Sequence, residues 1–114
     1  LQQYAKLYSK QGDTLFDYLD FSDVPGDKGG HDLKLFALST CGFCRRAIAF
    51  LNDRKVGYSF VYVDQLPIEV KKKAKEEFSA RFRTRMLYPT LLIDEKDTLI
   101  GFIEESWKKS LGLE

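Results

Sequence analysis

Three observations predict an α/β fold: a four-stranded mixed sheet flanked by helices on both faces, with an extra N-terminal segment. From residue 33 onward, short apolar runs alternate with helical periodicities in the order β-α-β-α-β-β-α. A strand–helix–strand unit joins parallel strands by a right-handed crossover, and the last two strands stand close enough for an antiparallel hairpin. The 114 residues are 44% hydrophobic and 14% aromatic, enough for one core without a disulfide or metal staple and too few for two ordinary domains.

Each element follows from its residues. Leu33-Lys34-Leu35-Phe36-Ala37-Leu38 is short, apolar and bounded by turn residues, the mark of a buried strand. Residues 42–55 read as a helix, with Ala47, Ile48 and Leu51 on one face and Gly57 as its stop. Tyr58 to Val63 is rich in β-branched and aromatic residues and reads as the next strand. Residues 67–82 form a second helix, with Val70, Ala74, Phe78 and Phe82 in one stripe. After Pro89, Thr90–Ile93 and Thr98–Ile100 read as strands around the polar turn Asp94–Asp97, and a last helix covers 103–111.

Residues 1–32 form an N-terminal extension and 33–114 the compact domain. The extension holds three lysines against six aspartates, or −3; the remaining 15 bases and 11 acids give the domain +4. Between them lies a cluster of turn residues, Val24 to Asp32. Residues 1–11 fit a short amphipathic helix, and 14–21 fit helix or strand.

Charge and hydropathy exclude some classes. A net charge of +1 argues against a partner bound through phosphate neutralisation, so no nucleic acid is expected. No run of 18 apolar residues exists, so no membrane span is expected. The N-terminus lacks the basic start and apolar run of a signal peptide, which points to a cytoplasmic protein. The chain starts at Leu1, so a removed leader stays open.

The chemistry concentrates in Ser39-Thr40-Cys41-Gly42-Phe43-Cys44-Arg45-Arg46, between the first strand and the first helix. A helix start leaves backbone N–H groups unpaired and carries a positive partial charge, which favours thiolate. Arg45 adds to it. Three residues apart, Cys41 and Cys44 share one side of the first turn, close enough for a small disulfide ring. Cys41 is then the exposed nucleophile and Cys44 the resolving thiol behind it. Two unreactive buried cysteines are the plain alternative. Two zinc ligands are another, but a structural site needs four and only His31 remains. Pro89 opens a strand, and without context its bond to Tyr88 is expected trans.

Leu35–Cys44, Tyr88-Pro89-Thr90 and Thr98-Leu99-Ile100-Gly101-Phe102 together resemble a dithiol glutaredoxin of the thioredoxin superfamily, over residues 33–112. The resemblance implies a thioredoxin-like fold and thiol–disulfide oxidoreductase activity, with Cys41 attacking and Cys44 resolving. It implies a cis Pro89 beside the site and a Tyr88 backbone that pairs with the substrate. Arg45 and Gly101 complete the expected substrate contacts together with Phe43, which reads as a partly exposed platform for substrate packing or as a core residue. No bound cofactor or metal is required. The expected partners are a disulfide-containing protein substrate and an electron donor, either a small thiol such as glutathione or a flavoprotein reductase. The protein is expected to be a monomer.

Departures from the family bear on the donor. Leu38 and Ser39 stand where glutathione-using members carry Lys, Leu87-Tyr88 replaces Thr-Val, and Phe102 replaces the second Gly of a Gly-Gly pair. Arg85 lies near the position that grips a glutathione carboxylate. Gly42-Phe43 matches the monothiol glutaredoxins, which share a [2Fe–2S] cluster between two subunits, so a cluster carrier using Cys41 is the alternative function. Elsewhere, the basic run from Lys71 to Arg85 reads as a solvated helix face or a docking surface for an acidic partner. Trp107 reads as packing for the last helix, and His31 as a linker residue.

Overall fold

The computed structural model describes residues 15–28 and 30–113. The elements run β1 (Ser22–Val24), β2 (Leu33–Ala37), α1 (Gly42–Asp53), β3 (Tyr58–Tyr62), α2 (Ile68–Phe82), β4 (Thr90–Ile93), β5 (Asp97–Ile100) and α3 (Glu104–Leu111), with a 3₁₀ turn at Val63–Gln65. The sheet order is β1-β3-β2-β4-β5. Among the described residues, β2 and β3 pair in parallel, joined by α1, and the other three strand pairings are antiparallel.

The sheet therefore has five strands where four were expected. The added strand comes from the N-terminal segment, whose Ser22, Asp23 and Val24 pair with Phe60, Ser59 and Tyr58. A three-residue strand with no alternation of its own leaves no periodicity to read. Its hold on β3 is extended by Lys28, whose N–H bonds to Lys55 and whose C=O takes the Gly57 N–H. Residues 15–19 form turns rather than helix or strand. The helix expected over 1–11 lies outside the described residues.

The pleat sends alternate residues to opposite faces. Leu33, Leu35 and Ala37 of β2 and Leu91 and Ile93 of β4 face α1 and α3, where they meet Ala47, Phe50, Leu51 and Trp107. Phe36, Val61 and Leu92 face α2, where they meet Ala74 and Phe78 of the expected stripe, together with Phe16 and Leu19. Helices thus cover both faces. Trp107 is buried and donates its indole N–H to the Gly101 carbonyl at 3.0 Å.

α1 ends differently from expectation. The left-handed residue is Lys55 (φ 57°), not Gly57, and the Val56 N–H closes onto the Leu51 carbonyl. Gly57 instead takes part in a close crossing with Gly26: a Cβ built on Gly26 would lie 2.3 Å from the Gly57 nitrogen, and one on Gly57 3.2 Å from the Gly26 nitrogen. No helix among the described residues is long and apolar enough to cross a membrane.

Candidate active site

β2 delivers the chain to the site, and the turn Leu38–Cys41 hands it to α1. Cys41 is the N-cap, in extended backbone (φ −96°, ψ 123°), and its Sγ accepts the Cys44 N–H at 3.2 Å. A cap sulfur thus does what a Ser or Asp oxygen does at other helix starts. Cys44 sits in the first turn, fully buried among Leu35, Ala37 and Ala47. Its Sγ accepts the Leu38 N–H at 3.4 Å. Cys41 is half-buried, and both cysteines are unbonded thiols.

These surroundings make the two sulfurs unlike. Burial works against ionising Cys41. The Cys44 thiol, the Cys44 and Phe43 N–H groups and the Arg45 charge outweigh it, so its pKa falls below the ordinary thiol value. Burial, and then the neighbouring Cys41 sulfur, push the Cys44 thiol up to about 12.

The other expected residues reach the same end of the sheet. The register Phe36–Thr90 sets the Tyr88-Pro89 corner beside the end of β2. The Tyr88–Pro89 bond is cis, as the resemblance implied and context-free statistics did not. Among the described residues, the Tyr88 N–H and C=O pair with no other backbone group. Its ring packs on both cores, and among the described residues its buried hydroxyl has no hydrogen-bond partner. Phe43 is 56% exposed, with the Arg46 guanidinium 5.1 Å from its ring centre. Arg45 is exposed.

Gly101 adjoins Pro89, but its N–H is already engaged by the Pro89 carbonyl at 2.7 Å. Its positive φ of 79° is the conformation that favours glycine. Phe102 does not close over the site: its ring turns inward onto Trp107 (5.0 Å) and Phe50 (5.4 Å). Arg85 lines a groove of about 250 Å³ with Lys75, Glu76, Ser79 and Met86, none of them a residue of the cysteine site. A larger groove, of about 600 Å³, opens at the other end of the sheet around Val24, Leu33 and Tyr58, away from the cysteines. His31 is not a bare linker residue, since its Nδ1 lies 2.8 Å from Asp94 Oδ2. Among the described residues, no group of three or more His, Cys, Asp or Glu side chains is placed to hold a metal ion.

The glutaredoxin family model matches residues 33–97, more than half of the chain. The chain belongs to the glutaredoxin family. The match takes in Cys41, Cys44, Tyr88 and Pro89 and stops before Gly101 and α3. Among solved structures, a glutaredoxin from Methanosarcina mazei Go1 is 30% identical, with a TM-score of 0.68 over 81% of this chain and 87% of that one. Methanoredoxin from Methanosarcina acetivorans is 28% identical (TM-score 0.65, covering 76% and 90%). A glutaredoxin from Archaeoglobus fulgidus is 26% identical (TM-score 0.61, covering 71% and 86%). No curated protein sequence matches the chain. The thioredoxin-like fold is thus shared with other glutaredoxins, and family and fold together support a thiol–disulfide oxidoreductase-like function.

Sequence reasoning missed one part of this glutaredoxin's site. Asp64, just past β3, accepts hydrogen bonds from both the N–H and the hydroxyl of Ser39. The two residues are 25 apart in the chain, and no local pattern links them.

Proposed function

We propose that this glutaredoxin reduces disulfides of protein substrates through a two-step dithiol cycle. The observation that carries the reading is the asymmetry of the pair: one half-buried sulfur at a helix start with a lowered pKa, one buried sulfur with a raised pKa. The Cys41 thiolate attacks a substrate disulfide and forms a mixed disulfide, releasing one substrate thiolate that takes up a proton. Cys44 then loses its proton and attacks the Cys41 sulfur. The second substrate sulfur leaves as a thiol, and Cys41 and Cys44 are joined. The substrate gains two electrons and the protein loses two.

The unpaired Tyr88 backbone supports an extended substrate strand laid beside Pro89. The exposed Phe43 ring supports apolar contact next to the reacting bond. Arg45 acts chiefly on the charge of Cys41. Gly101 contributes shape rather than its N–H, which Pro89 already holds. A small thiol or a flavoprotein reductase restores the dithiol. The Ser39 hydroxyl is engaged by Asp64 and so is not free to replace the family's lysine as a grip on glutathione.

Cys41→Ser is expected to abolish reduction of a protein disulfide. Cys44→Ser is expected to leave substrate attached to Cys41, seen by mass spectrometry as a reducible adduct. Full activity in Cys41→Ser would overturn the assignment.

A further inference from the structure

Both sulfurs are tied to one short turn, and that turn is held from outside. The Asp64 carboxylate takes the Ser39 N–H on Oδ1 at 2.9 Å and the Ser39 hydroxyl on Oδ2 at 2.6 Å. One residue back, the Leu38 N–H meets the Cys44 Sγ at 3.4 Å, and the Leu38 carbonyl accepts the Cys41 N–H at 3.3 Å. A buried thiolate is costly unless donors face it. The Leu38 amide is such a donor, and its aim depends on where Ser39 is fixed.

We propose that Asp64 is a positioning residue for the resolving step, clamping Ser39 so that the Leu38 N–H faces the Cys44 sulfur while that sulfur becomes anionic. The inference rests on the dithiol cycle above. In that step the Cys44 S–H bond and the Cys41–substrate S–S bond break. The Cys41–Cys44 bond forms, and the departing substrate sulfur is protonated.

Asp64 acts in two opposed ways. The amide that it positions favours the Cys44 thiolate, while its own negative charge disfavours it. Among the described residues, the other ionisable groups facing Asp64 and Cys44 are Cys41 at the cap of α1, Arg45 on α1, Lys71 on α2 and Tyr88. Asparagine separates the two effects, because its oxygen still accepts the Ser39 N–H and its charge is gone.

Rapid mixing of the reduced protein with an aromatic disulfide that releases a coloured thiolate reads both steps. The first release reports attack by Cys41 and the second, concentration-independent release reports Cys44. Asp64→Ala is expected to slow the second phase about tenfold, more than the first. Ser39→Ala slows the same phase with the Asp64 charge retained. Asp64→Asn keeps a second phase at least as fast as the wild type and moves its pH midpoint downward. A wild-type second phase in both alanine variants, equal slowing of both phases, or an unmoved midpoint in Asp64→Asn would overturn the proposal. A wild-type protein with no second phase would instead overturn the dithiol cycle.

Discussion

Cys41 and Cys44 are the same chemical group separated by one helical turn, yet they face opposite demands. Cys41 caps the helix and collects N–H donors; Cys44 points into apolar side chains. At pH 7 the lowered pKa of Cys41 leaves it a larger thiolate fraction than an ordinary cysteine. With a pKa near 12, Cys44 is almost entirely thiol at the same pH. Brief alkylation at pH 7 should therefore label Cys41 and spare Cys44, as read by peptide mass mapping, and the preference should shrink as pH rises toward 12. Equal labelling at pH 7 would contradict it. This pair was legible in the sequence because its spacing and its place between strand and helix are local facts. Asp64 was not, since its partner Ser39 follows β2, a parallel neighbour joined to β3 only through α1. Nor was the inward turn of Phe102, which depends on Phe50 and Trp107, residues on two different helices.

Elements with strong periodicity were equally legible: β2, α1, β3, α2, β4 and α3 stand where apolar spacing put them, within two residues at each end. β1 escaped because only its partner makes it a strand. Its seat depends on Gly26, which crosses Gly57 so closely that any side chain strikes backbone. A Cβ there would sit 2.4 Å from the Val56 carbonyl carbon and 2.6 Å from the Lys55 oxygen. Backbone cannot swing aside as a side chain can, so Gly26→Ala is expected to destabilise the protein by about 1–3 kcal/mol, the usual cost of overpacking. Chemical denaturation checks it; an unchanged midpoint would show that the crossing yields. The cysteine site lies at the other end of the sheet, so the alkylation preference should survive this substitution.

Across the whole molecule, the central strands serve two cores at once, because odd and even positions of β2 and β4 feed opposite layers. Tyr88 packs on both, which joins the corner beside the cysteines to the two halves of the interior. The N-terminal segment belongs to this economy: Phe16 sits 5.0 Å from Phe36, edge to face, under α2. Its descending piece also borders β3, whose sequence Tyr58-Ser59-Phe60-Val61-Tyr62 has no charge and no proline. Stripped of its neighbour, such a ribbon offers a ready template for pairing with other chains. Three residues of β1 are thus a guard against stickiness. A chain clipped just before Pro25 should clump over time, raising light scattering, while the intact chain at the same concentration stays clear.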